Sequence, residues 1–235
     1  MVKNMNGSFD LADFLQRFST KVLWHFTGYN KSEIDALVIV KNIIEEKRLR
    51  IGKYRSKVIM ASGTERYGYP CVCMCDIPFK DLRIHTIRYG KYGLAFNKNK
   101  AIVGGHFNPV LYIHKGHFLY KYIEEKIIEN IDKLIKLNNE LGPKLNEYLY
   151  IMGTYLKPSD LTAPITVGNM RIDEEQNNNF YYEREWRSAY DWNFEYEDVE
   201  VIMVPKRDIA ETNEFLKKNR IENISIITHE MIEEL

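Results

Sequence analysis

Residues 71–75 read CVCMC, apolar at every position, between Pro70 and the D-I-P of residues 76–78. Successive side chains of a strand point to opposite faces. Cys71, Cys73 and Cys75 would line one face, and Val72 and Met74 the other. Both faces are then apolar, which describes a central strand. The competing reading is a metal site. Cα atoms two apart in a strand are separated by roughly 6.5–7 Å, poor geometry for three thiolates on one ion. Zinc sites more often use C-x₂₋₄-C turns with further ligands at a distance, and the chain has 3 cysteines in all. Free cysteine is among the most buried residue types. The strand reading is the stronger, and the informative part of the stretch is its end, where Asp76 and Pro78 meet a loop.

Around that strand the pattern alternates irregularly between helical and extended runs. Leu11, Phe14, Leu15 and Phe18 repeat at helical spacing and predict a short amphipathic helix over Ser8–Phe18. VLWHFT (22–27) is a compact strand-like run. Ser32 opens S-E-I-D, an N-capping pattern, for a helix to about Lys47. Its Ile34, Leu37, Val38, Val40, Ile43 and Ile44 predict burial on a broad face. KVIMAS (57–62), YGLAF (92–96) and PVLYI (109–113) read as strands, the last two joined through GGHFN. DLRIHTIRY (81–89) reads as a short helix. A long helix is predicted over 117–139, stopped at Gly142-Pro143, with a second helix to about Leu156. DEEQNNN (173–179) is a polar loop. YYEREWRSAY (181–190) alternates as a strand, and so does VEVIMVP (199–205). A helix over Arg207–Asn219, the strand ISIIT (224–228) and a short helix from Thr228 complete the pattern. With no regular βαβ alternation, an α+β fold with a mostly antiparallel sheet fits best. No repeat and no Pro/Gly/Ser-rich linker divides the chain, so residues 1–235 read as one domain with a helical insertion at 117–156.

Lys+Arg and Asp+Glu are both 33, so no global field draws the chain to nucleic acid or a membrane. No stretch approaches the roughly 18 uninterrupted apolar residues of a membrane span. The first residues lack the apolar run and cleavage site of a secretory signal. Three cysteines within five residues cannot build a disulfide framework. The expectation is a soluble, cytoplasmic protein.

Three short segments carry chemical potential. In WHFTG (24–28), His25 sits in an apolar run, followed by the hydroxyl of Thr27 and by Gly28; alone, it reads as a core histidine. In HTIRYGKYGLAF (85–96), tyrosines stand beside glycines that allow a ligand or a backbone to approach closely; alone, these read as turn punctuation. In FYYEREWRS (180–188), strand alternation places Glu183, Glu185 and Arg187 on one face and Tyr182, Arg184 and Trp186 on the other. An edge strand or a carboxylate projecting into a cleft would each explain the charges. The basic run KRLRIGKYRSK (47–57) reads as a solvated loop, or as a phosphate contact through Arg50 or Arg55.

Taken in order, LWHFTG, PCVCMCDIPF, H-x-x-x-YGKYGLAF, NPVLYI and YEREWR resemble the AbiGi family of abortive-infection proteins of bacterial phage defence. The likeness runs from about Leu23 to Pro205. That family resembles DarT-like toxins and, more remotely, poly-ADP-ribose polymerases. The resemblance implies an ADP-ribosyltransferase-like split sheet with surrounding helices and NAD⁺ as substrate. It gives His25 the place of the ribose-binding histidine, beside Thr27. Leu94 or Ala95 falls where the nicotinamide-stacking ring would be, leaving Tyr89 or Tyr92 to substitute. It gives Glu185, with Glu183 as fallback, the place of the catalytic glutamate, and makes Arg187, Arg50 and Arg55 the candidates for holding the pyrophosphate. Cleavage of the nicotinamide–ribose bond develops oxocarbenium character, which a carboxylate on the ribose 2′-OH would stabilise in the transition state.

Three readings follow. The first is an NAD⁺-dependent ADP-ribosyltransferase with a protein or nucleic-acid acceptor. The second, since the family is described as the antitoxin half of a two-gene system, is a binding module that neutralises a cognate toxin without catalysis. The third is an NAD⁺ hydrolase, the same site with water as acceptor. A metal-dependent nuclease assembled from Asp76, Asp81 and Glu185 has no spacing to recommend it.

Overall fold

The computed structural model describes residues 20–52, 57–59, 65–67, 69–114, 116–137, 141–159, 161–162 and 179–234. The helix expected over Ser8–Phe18, Arg55 and most of the polar 173–179 loop lie outside them. A mixed, mainly antiparallel sheet of seven strands organises the chain: β1 (Val22–Phe26), β2 (Val72–Cys75), β3 (Gly93–Asn97), β4 (Asn108–Pro109), β5 (Glu185–Ser188), β6 (Val199–Val204) and β7 (Ser225–Thr228). Their spatial order is β7-β6-β3-β1-β2-β5-β4. Only the β6–β7 pair of this sheet is parallel.

The alternation of the strands divides the core into two layers. Leu23, Met74, Leu94 and Phe96 face one side, under helix α1 (Glu33–Glu46), whose Ala36, Leu37, Val40 and Ile44 are buried. Trp24, Cys75, Ala95 and Met203 face the other, with Leu82 of helix α2 (Leu82–Tyr89) and Ile232. Each fully buried side chain of that size stabilises the fold by roughly 1.5–3 kcal/mol. The buried stripe of α1 is narrower than its composition suggested, because Ile34 and Val38 are exposed. Ser32 caps it as expected: its hydroxyl accepts from the Asp35 N–H at 3.1 Å and donates to the Asp35 carboxylate at 2.7 Å.

β1 and β3 share five register pairs, and β2 and β5 share four. Between these two halves, β1 meets β2 through one register pair, Trp24 opposite Cys75. The sheet therefore has a seam beside His25.

Three expectations need correction. YGLAF and PVLYI are not joined directly, since helix α3 (Lys98–Gly105), capped by Asn97, follows β3. PVLYI leaves the main sheet at its end, and Leu111–His114 instead pairs in parallel with Leu156–Ser159. The helical segments Phe118–Tyr122, Ile123–Ile128 (a π-helix), Glu129–Leu137 and α4 (Gly142–Tyr155) arise between those two strands. The 181–190 stretch is a strand only over Glu185–Ser188. Phe180–Glu183 is a 3₁₀ turn, with Arg184 in the left-handed region at φ 43°. Asn179 accepts from the Tyr181 N–H, and Ser159 Oγ from the Phe180 N–H, which fixes the turn. Helix α5 (Ile209–Lys218) lies between β6 and β7 in the chain. Among the described residues, no helix is long and apolar enough to cross a membrane.

Candidate functional site

A cavity of about 190 Å³ opens at the seam, on the face covered by α2. β1 lines it with Trp24, His25 and Phe26, and β2 with Cys73, Met74 and Cys75. α2 adds His85 and Tyr89, one helical turn apart. Glu183 enters from the 3₁₀ turn and Glu185 from the first residue of β5. The cavity thus unites His25, Tyr89, Glu183 and Glu185.

His25 reaches into the seam. Its Nδ1–H donates to the Cys73 carbonyl at 2.8 Å, so in the neutral ring Nε2 carries the acceptor lone pair. Burial holds its pKa below the usual imidazole value, against the opposing effect of that backbone bond. His85 is also lowered, chiefly by burial; its Nε2 lies 3.4 Å from the Glu183 carbonyl, and its Nδ1 is buried with no hydrogen-bond partner.

The two acids are buried, Glu183 to 3% exposure and Glu185 to 9%. Lys157, from the strand Leu156–Ser159, bonds to both. Its Nζ reaches Glu185 Oε2 at 2.8 Å and pairs with Glu183 Oε2. Arg187 grips Glu185 with its planar fork, Nε to Oε1 at 2.8 Å and Nη2 to Oε2 at 2.9 Å, while its Nη1 donates to the Thr154 carbonyl. Tyr89 donates to Glu183 Oε1 at 2.5 Å, and Arg88 Nε lies 3.6 Å from the same oxygen. Burial alone would raise the Glu185 carboxyl, but Arg187 and Lys157 outweigh it and hold the group well below the usual carboxylate range. Lys157 is raised in turn: burial opposes its charge, and the two glutamates more than compensate. Burial, then Glu183, pushes the Tyr89 phenol well up.

The other expected site residues lie elsewhere. Thr27 is buried and donates to the Ala36 carbonyl at 3.1 Å, fastening β1 to α1. Tyr92 is a core residue whose hydroxyl donates to Asp208 at 2.6 Å. Arg187 acts on Glu185 from behind the cavity lining. Arg50 is exposed and pairs with Glu46, four residues before it. Asp76 is an anchor: it accepts from the Thr20 N–H and hydroxyl, both at 2.8 Å, and from Lys98 at 2.7 Å. Among the described residues, no cluster of three His, Cys, Asp or Glu side chains could hold a metal ion.

Sequence reasoning assigned no role to Lys157, His85 or Arg88. His85 and Arg88 lie inside the HTIRYGKYGLAF segment, where a four-residue spacing of His85 and Tyr89 on a helix places both on one face. Lys157 had no such signal, because its place depends on the parallel pairing of Leu156–Ser159 with Leu111–His114.

Residues 38–228 match the model of a family whose description reads "Putative abortive phage resistance protein AbiGi, antitoxin". No curated protein and no solved structure is similar enough to match.

Proposed function

The chain belongs to the AbiGi family, and from that membership we propose that it serves anti-phage abortive infection as the antitoxin of a two-component pair, restraining a cognate toxin by contact. The observation that carries the non-catalytic part is the occupancy of Glu185. A carboxylate assists glycosidic cleavage when an oxygen is free to bond the sugar and its charge is free to meet the developing cation. Glu185 spends both oxygens on Arg187 and Lys157, and two cations already balance its charge. Glu183 is likewise engaged by Tyr89 and Lys157. Purification together with the product of a neighbouring gene tests the proposal. The expected result is a stable complex and no release of nicotinamide when NAD⁺ is added. Nicotinamide release that disappears in Glu185→Gln would overturn it.

A second reading is favoured by one specific observation, the convergence of His25, Tyr89, Glu183 and Glu185 on a single cavity. In it, the chain is an NAD⁺-dependent ADP-ribosyltransferase of DarT-like ancestry, modifying a protein or a nucleic acid. His25 Nε2 would accept from a ribose hydroxyl, Tyr89 would flank the nicotinamide, and a substrate hydroxyl would displace Lys157 from Glu185. Thr27, Tyr92 and Arg187 would then support the site from outside it. Labelled NAD⁺ separates the outcomes: label carried onto an acceptor supports the transferase, free ADP-ribose alone supports a hydrolase, and neither supports the antitoxin without turnover.

A further inference from the structure

We infer that Cys71 and Cys73 form a redox-active dithiol beside the cavity, oxidised by a hydroperoxide to an intramolecular disulfide and restored by reducing thiols. Their sulfurs lie 3.4 Å apart, because residues i and i+2 of an extended segment project from the same face. The two are accessible: Cys73 is exposed and Cys71 half-buried, whereas Cys75 is buried. Cys71 precedes the paired residues of β2, leaving its backbone outside that ladder. Arg187 stands opposite Cys73 in the sheet register and puts a cation beside the pair.

The two thiols are chemically unequal. Cys71 is lowered, first by the hydrogen bond from Cys73 and then, against burial, by Arg187. Cys73 is raised well above the ordinary thiol, first by that same bond. This division assigns Cys71 as the attacking thiolate and Cys73 as the resolving thiol. The Cys71 thiolate attacks a peroxide oxygen; the S–O bond forms as the O–O bond breaks, and the departing alkoxide takes a proton to leave as an alcohol. The Cys73 sulfur then attacks the sulfenic sulfur of Cys71, the S–S bond forms as the S–O bond breaks, and the Cys73 proton leaves with the oxygen as water. Two thiols are oxidised, and one hydroperoxide is reduced to an alcohol and water. Alternate strand residues sit near the upper end of the Cα separation a disulfide tolerates, about 4.4–6.8 Å, so the bridge is strained and readily reduced. Oxidation also reaches the cavity, since the Cys73 carbonyl holds the His25 ring.

The test uses the full chain treated with hydrogen peroxide, then denatured and alkylated. Trypsin releases all three cysteines in one peptide, Tyr67–Lys80. The expected product is about 2 Da lighter before alkylation, takes one alkyl group at Cys75, resists backbone fragmentation between Cys71 and Cys73, and returns to three alkylatable thiols with dithiothreitol. Cys71→Ser and Cys73→Ser should each abolish the mass loss. A bridge that includes Cys75, a bridge between chains, or three free thiols after peroxide would each overturn the assignment. The peptide map of the unmutated chain decides this even if a serine variant fails to fold.

Discussion

Lys157 touches both acidic side chains of the cavity, and its charge decides whether they can lie side by side away from water. Lys157→Met keeps much of the volume and removes the cation. Glu183 and Glu185 then face each other with their shared partner gone. Removing one member of a buried ionic network is destabilising by about 3–5 kcal/mol, because an uncompensated charge stays buried. Equilibrium urea unfolding should show that loss. Adding Glu183→Gln should recover part of it, since one of the two like charges is gone, and the non-additivity measures the coupling. A loss under about 1 kcal/mol would mean that the network behaves as a solvated surface pair. At this scale the sequence was informative about residue type and silent about partners. His25 alone read as a core histidine, and the two glutamates as charges of an edge strand or a cleft; a shared site for them was what the family resemblance implied. Strand alternation placed Arg187 on one face with Glu185, and the structure adds the bidentate grip that this placement permits on a strand of four residues.

The approach between the loop after β1 and the end of α2 is set by two glycines. A Cβ on Gly28 would lie 2.8 Å from Gly90 Cα, and one on Gly90 would lie 2.7 Å from Gly28 Cα. Gly90 adopts φ 90° and ψ 177°, a region essentially reserved for glycine. Gly90→Ala adds strain and a backbone clash beside Tyr89, so a loss of about 1–3 kcal/mol is expected. Calorimetry should register it as a drop in Tm of about 2–4 °C per kcal/mol for a chain of this size. Such glycines were anticipated as points of close approach; the neighbour proved to be backbone. Other elements were legible for local reasons, such as the Ser32 cap and the unbroken apolar run of β2. Helix α3 was not, because its larger apolar residues Ile102 and Val103 are exposed and its buried face is carried by the small Ala101 and Gly105, while GGHFN read as a connection between strands. The Phe180–Glu183 turn was also missed, since alternating charges there mimic the period of a strand while Asn179 and Ser159 select the turn.

The whole molecule depends on a sheet whose halves meet at a narrow seam, and several groups with displaced pKa values lie at or near that seam. His25 and His85 are both lowered, mainly by burial, as is His229 farther along the chain. In the unfolded chain an imidazole binds its proton near pH 6.5. Between that value and the lower folded pKa, the unfolded state holds more protons, so stability falls as pH falls. Glu185 and Asp76 are lowered as well, so their contribution is present above their unfolded pKa of about 4 and lost as pH falls through the folded values. The two ranges predict acid unfolding in two stages. From about pH 7 to 5 the urea midpoint should decline as the histidines charge in the unfolded state. Below about pH 4 the decline should steepen as these carboxylates take up protons in the unfolded chain while the folded ones stay ionised beside their cations. A His25→Gln, His85→Gln double variant should make the first stage shallower, leaving the share that His229 contributes, and keep the second, because it removes the two seam imidazoles without touching the Arg187–Glu185–Lys157 cluster. A midpoint independent of pH between 7 and 5 in the unmutated chain would place those rings in water, and the seam would then be open to solvent rather than closed over a cavity.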